Sequence, residues 1–244
     1  MRKHIPNFLT SLNIVSGSLS VTFALEGHIN LAVLTMFMAA AFDFFDGMSA
    51  RLLKAYSPIG KELDSLADMI SFGLAPGVIV LTLQKYALFG DVRSLVGTSG
   101  GWLTWVFLLS AFFIPVMSGL RLAKFNIDER QTTSFIGLPT PANAIFFASL
   151  ALIAENGNMP ALDSILLNPY ALLFFTIVMS LLLVSEIPMF SLKIKNLKWS
   201  GNQILYLFLL TAFVLISFFS FYGITLSILL YILISFTVSL KKTV

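Results

Sequence analysis

The chain has 244 residues, of which 57% are hydrophobic and 11% charged. Soluble domains carry about 25% charged residues, so these figures, with a mean hydropathy of +0.91, exclude an ordinary water-soluble fold and point to a chain dissolved in lipid. There is no cysteine, which excludes disulfides and thiolate metal sites, and the net charge of +3 is small enough that its placement matters more than its size.

A membrane-crossing helix needs about 20 mostly apolar residues, and in lipid the backbone must satisfy its own hydrogen bonds. The apolar runs predict eight helices, at 8–26, 29–53, 59–85, 102–126, 140–155, 169–190, 203–221 and 223–240, the last two joined by a tight turn near Tyr222-Gly223. If that hairpin is a single helix the number is seven. The expected fold is an all-α polytopic bundle in one integral domain, without internal repeats or a cleavable signal peptide; residues 1–6 suggest a short surface helix. With the N-terminus in the cytoplasm, 13 of the 15 Lys and Arg residues fall on the cytoplasmic side, including Arg2, Lys3, Arg130, Lys193, Lys195 and Lys198; Lys85 and Arg93 fall outside. The positive-inside rule then puts both termini in the cytoplasm. Trp102, Trp105 and Trp199 lie near helix ends, where interfacial aromatics belong.

The second and third runs contain Asp43, Asp46, Asp64 and Asp68. A carboxylate at the centre of a membrane helix costs roughly 2.5 to 3.5 kcal/mol on insertion scales. Spacings of three and four residues put each pair on one helix face. The short link at Tyr56-Ser57-Pro58 makes the two helices antiparallel neighbours, so the pairs face each other. Four like charges would repel strongly unless they surround a cation. All-oxygen ligands without His or Cys suit Mg2+, Mn2+ or Ca2+. Gly47 and Ala50 are small and lie on or beside the Asp43/Asp46 face, Gly60 opens the third helix where free N–H groups favour phosphate, and Arg51 is placed to pair with phosphate oxygens. His4 and His28 lie at opposite membrane faces, and no Ser has a His base beside it, so nucleophilic catalysis is not expected.

Arg121 and Lys124 have two readings, as topology charges or as cations for an acceptor carboxylate, with Asn126 adding hydrogen bonds. Asn7 and Thr10 could meet a nucleotide or a phosphate. Pro76 is expected to kink the third helix, shaping either a nucleotide-base pocket or only the packing. Glu62 and Glu186 receive no role.

The string Asp43-x2-Asp46-Gly47-x2-Ala50-Arg51-x8-Gly60-x3-Asp64-x3-Asp68 fixes eight residues over 26 positions. It resembles the signature of the CDP-alcohol phosphotransferase family at every position. The resemblance implies that Asp43, Asp46 and Asp64 bind metal, that Asp68 is the general base and an added metal neighbour, and that Gly47, Ala50, Arg51 and Gly60 contact the CDP moiety. It also implies a six-helix core, here 1–190 with a basic loop and hairpin at 191–244, and a homodimer. Residues 5–13, 61–76, 121–126 and 135–141 resemble the membrane-integral phosphatidylserine synthase branch. That implies Mg2+ or Mn2+ as cofactor, expected as two ions, CDP-diacylglycerol and L-serine as substrates among the membrane lipids, no nucleic acid, and a site on the cytoplasmic side of a prokaryotic-type inner membrane. The alternatives are the same donor with glycerol 3-phosphate or inositol phosphate as acceptor, and an ion-coupled transporter, since intramembrane carboxylates also mark transport paths. An aspartate-rich prenyltransferase would not be expected to carry the Gly-x2-Ala-Arg-x8-Gly interval.

Overall fold

The structure is a computed structural model that describes residues 4–92, 95, 100–128, 135–190, 199 and 202–243. Arg2, Lys3, Arg93, Arg130, Lys193, Lys195 and Lys198 lie outside the described residues, so the charge count built on them is not tested. The described chain is almost wholly helical: α1 (His4–Leu25), α2 (Ile29–Leu52), α3 (Pro58–Asp68), α4 (Ala75–Phe89), α5 (Trp102–Ser110), α6 (Phe113–Ile127), α7 (Thr140–Asn156), α8 (Pro160–Leu166), α9 (Pro169–Val184) and α10 (Gln203–Thr243). Among the described residues five helices are long and apolar enough to cross a membrane, or six if the bent pair α8–α9 counts as one span. The difference from eight has two sources. Helix α7 has only 17 residues, and the two arms of the C-terminal hairpin, which the chain reversal at Ser220 separates, are counted together as the single stretch α10.

That reversal is at Ser220, whose φ of 50° and ψ of −121° interrupt α10. It brings the ring of Phe208 within 5.9 Å of the ring of Tyr231, a distance that a straight helix of that length forbids. The turn therefore sits slightly earlier than Tyr222-Gly223. The hairpin docks on α7 through the Ser149 and Thr225 hydroxyls, 2.7 Å apart. On the far side of the bundle the Tyr222 hydroxyl donates to Asp163 Oδ1 at 2.5 Å and accepts from the backbone N–H groups of Asn158 and Met159.

Local sequence explains where the other helices begin, bend and end. Ser57 caps α3 by accepting from the N–H of Gly60 at 3.0 Å, and Pro58 follows at the first helical position. After Asp68 the chain takes one π-helical stretch, Met69–Leu74, before α4 resumes. Pro76 has no N–H to offer the carbonyl of Phe72, and widening the helix absorbs that loss. The run predicted as one helix at 102–126 is broken at Ala111-Phe112, ahead of Pro115, for the same reason. The helix predicted to 190 stops at Val184, because Pro188 and Met189 pair antiparallel with Ile136 and Phe135. This two-stranded ladder, β1 (Phe135–Ile136) and β2 (Pro188–Met189), ties the lead-in of α7 to the exit of α9. Gly137, at φ 76°, donates to Ile187 O, and Leu138 donates to Leu182 O.

Helix α7 runs through the core, with Phe146, Phe147, Ala148, Leu150 and Ala151 fully buried. Small residues bring the other helices close, as in membrane bundles generally. A Cβ at Gly17 would lie 3.0 Å from Ser71 Cα, and one at Gly77 would lie 2.9 Å from Pro115 Cδ and 3.2 Å from the Ala111 carbonyl oxygen. These contacts fix the π-helical stretch and α4 against α1 and α6, and so fix the height of Asp68. Gly77→Leu is expected to overpack this crossing at a cost of about 1–3 kcal/mol, read as a lower thermal midpoint of the detergent-solubilised protein.

Candidate active site

The four aspartates project from the last turns of α2 and from α3. Asp43, Asp64 and Asp68 each offer a carboxylate oxygen, and the three oxygens lie within 4.8 Å of one another. Asp46 is set apart: only 5% exposed, it accepts a hydrogen bond from the Thr10 hydroxyl at 2.6 Å. The sequence expectation grouped Asp43, Asp46 and Asp64 as metal ligands with Asp68 as base; the three oxygens drawn together here are those of Asp43, Asp64 and Asp68, while Asp46 bonds to Thr10 on α1. An i, i+3 spacing leaves about 60° between Asp43 and Asp46 around the helix axis, and Thr10 stands on the Asp46 side.

The donor set of this trio suits a cation. Asp68 Oδ1 is buried and has no hydrogen-bond donor, and an unpaired buried carboxylate oxygen is costly. Three clustered anionic oxygens, one of them an orphan, fit a hard divalent ion.

Two cavities adjoin the trio. The first, about 290 Å3, is lined by Asn7, Thr10, Asp46, Gly47, Ala50 and Arg51, with Ser57, Gly60, Lys61 and Asp64 closing it. Every motif position other than Asp43 and Asp68 is therefore on its wall, together with Asn7 and Thr10 from α1. Gly47 is not needed for packing, since a Cβ there would meet only Arg51 Nη2 at 3.6 Å; the space it leaves is cavity. The exposed Arg51 donates its Nε–H to Gly47 O at 3.0 Å, which aims the guanidinium along the wall and leaves its other N–H groups for a ligand. The reading of Gly60 as a free N–H is corrected: that N–H is taken by the Ser57 cap. Gly60 instead keeps room, for a Cβ would lie 3.1 Å from Asn7 Oδ1. Pro76 is also corrected: it is buried in α4 and lines neither this cavity nor the next.

The second cavity, about 600 Å3, lies on the other side of Asp64. Its polar lining comprises Lys61, Asp64, Ser65, Asp68, Arg121 and Asn126, with Thr140. Arg121 is 7% exposed, too buried for a charge serving topology alone. It donates from Nη1 to Thr140 Oγ1 at 3.3 Å, its guanidinium carbon is 5.6 Å from the centre of the Phe125 ring, and its Nε has no acceptor. Asn126 donates to Ser65 Oγ at 3.0 Å, and Lys61 Nζ donates to the Asn126 carbonyl at 3.3 Å, which locks the end of α6 onto α3. Lys124 does not join them: it is exposed and lines a third space, about 310 Å3, shared with Arg121, Ser185 and Glu186. Sequence reasoning gave no role to Lys61, Ser65 and Thr140, although all three stand inside segments whose patterns it quoted. It also missed Tyr231, which no local pattern marks.

The profile of the CDP-alcohol phosphatidyltransferase family matches residues 3–185. The chain belongs to that family. The match covers α1 to α9 and hence every aspartate described above, and it ends before the hairpin. Similar proteins include the CDP-diacylglycerol–serine O-phosphatidyltransferase of Bacillus subtilis, 34% identical over 184 residues (75% of this chain, 88% of that one). The Helicobacter pylori protein of the same name is 31% identical over 204 residues (80% and 74%). The archaetidylserine synthase of Methanothermobacter thermautotrophicus is 30% identical over 185 residues (75% and 68%). Gly47→Ala is expected to leave the thermal midpoint unchanged or raised, since Ala favours a helix by up to about 1 kcal/mol over Gly. It should weaken CDP binding, measured by displacement of a labelled nucleotide.

Proposed function

We propose that the protein transfers a phosphatidyl group from CDP-diacylglycerol to the hydroxyl of L-serine, giving phosphatidylserine and CMP. The observation that carries this reading is the position of Asp64, a member of the carboxylate trio, on the wall shared by a nucleotide-sized cavity lined by the family motif and a second cavity that holds Asp68 and a buried Arg. The names of the similar proteins support the choice of donor and acceptor.

In this reading Asp43, Asp64 and Asp68, with Asp46 from the side, hold Mg2+ or Mn2+, as two ions. Bound there, the divalent ions supply positive charge to the diphosphate and to the departing CMP. The rest falls to the chain's own side chains. Gly47, Ala50 and Gly60 leave room for the CDP moiety, and Asn7, Thr10 and Arg51 offer it hydrogen bonds. Thr10 holds the Asp46 carboxylate in one orientation. Arg121, braced by Thr140 and Phe125, binds the serine carboxylate, with Asn126 and Ser65 beside it. Asp68 accepts the serine hydroxyl proton. The freed oxygen attacks the lipid-side phosphorus, the bond from that phosphorus to the CMP oxygen breaks, and no covalent enzyme intermediate forms. A phosphorylated acceptor would want a denser set of cations than Lys61 and Arg121, the Lys and Arg residues lining the second cavity.

The remaining parts of the proposal follow from the resemblance and the charge pattern. The active site faces the cytoplasm from a prokaryotic-type inner membrane, residues 1–190 form the catalytic core with 191–244 as an appended loop and hairpin, and the protein is a homodimer.

The test is CMP release by purified protein with CDP-diacylglycerol and labelled serine, with divalent metal omitted and restored. Activity that ignores chelation would remove the metal from the reading. Asp68→Asn is expected to lower turnover at least about a hundredfold, the scale of a lost general base, while donor binding persists; near-normal turnover at saturating metal would take the base role from Asp68. Arg121→Ala is expected to raise the KM for serine more than that for the donor. An unchanged serine KM would return Arg121 to a structural role.

A further inference from the structure

We propose that the C-terminal hairpin, which lies beyond the family match, forms the wall of the donor's lipid subsite, with Phe208, Ile228 and Tyr231 packing against the glyceryl esters and first methylenes of the acyl chains. This rests on the reading of the donor as a CDP-activated diacyl lipid.

The second cavity carries Lys61, Asp64, Asp68 and Arg121 on a wall that also holds Phe44, Phe125, Ile145, Phe208, Ile228 and Tyr231. This apolar lining, with Phe125 against the Arg121 guanidinium, exceeds what a zwitterion the size of serine would use. Charged and apolar groups sharing one space fit a molecule whose charged diphosphate is joined through a short linker to hydrocarbon. The family match ends at residue 185, so three residues of this wall come from outside it.

The wall is built rigidly. The Tyr231 hydroxyl donates to the Phe190 carbonyl at 3.2 Å, and the Phe190 N–H donates to Ser235 Oγ at 3.3 Å. The three rings of Phe190, Phe208 and Tyr231 lie 4.9 to 5.9 Å apart. Both arms of the hairpin are therefore pinned to the strand that leaves α9. A side chain added at Ile228 would displace ligand rather than move the wall.

The test measures direct binding of CDP-dioleoylglycerol to the purified full-length protein in detergent with Mg2+, beside competition by CDP, which has no acyl chains. Ile228→Trp is expected to raise the Kd of the lipid about tenfold, as for roughly two methylenes kept from burial, and to leave the CDP inhibition constant within about twofold of wild type by the same reasoning. Ile228→Ala, which cannot overpack, should weaken the lipid alone and by less. An unchanged lipid Kd in Ile228→Trp, an equal loss for lipid and CDP, or a rise confined to the serine KM would each overturn the assignment. A wild-type protein that binds the lipid but transfers nothing to serine would sink the acceptor reading and leave this one standing; one that binds no CDP-lipid would sink both.

Discussion

Mutual repulsion among carboxylates held close together in an apolar bundle is the constraint around which this protein is organised. Asp43, Asp64 and Asp68 bring oxygens within 4.8 Å of each other. Burial of that kind is tolerated only where the environment holds it in place. The holding is done by packing at a distance: glycines at 17 and 77 let α1, the π-helical stretch, α4 and α6 approach until backbone meets side chain. The energy of tight apolar contact in the middle of the bundle thus supports an arrangement at its end that would otherwise spread apart. Thr10 gives the fourth acid, Asp46, a hydrogen bond of its own.

The motif was legible because helical periodicity converts spacing into proximity. Three- and four-residue intervals on consecutive helices sufficed to bring Asp43, Asp64 and Asp68 together, and Asn7 and Thr10 fell beside them because α1 packs along α2. The separation of Asp46 was not legible, since its partner is 36 residues away and only the crossing of α1 and α2 decides it. Pro76 was read as kinking the helix for either a base pocket or packing alone. The helix instead widens into a π-helical stretch, and the buried ring fits the packing alternative.

Away from the acids, the sequence said more about length than about interruption. The apolar runs located the helices, yet Pro115 and Pro188 each ended or broke one earlier than composition suggested. The β1–β2 ladder is two residues per strand, too short to leave any alternation to read. The wall formed by Phe208, Ile228 and Tyr231 was invisible for a different reason: membrane-facing and cavity-facing apolar side chains are chemically alike, and only the Ser220 reversal and the docking on α7 distinguish them.

Asp64 and Lys61 border both the nucleotide-sized cavity and the amphipathic one. They form a partition between the two spaces. Alterations there cannot be attributed to a single substrate, because any shift of the partition enlarges one compartment at the expense of its neighbour. Asn7 and Thr140 each border one of the two spaces alone, so a change at either alters one compartment without moving the partition.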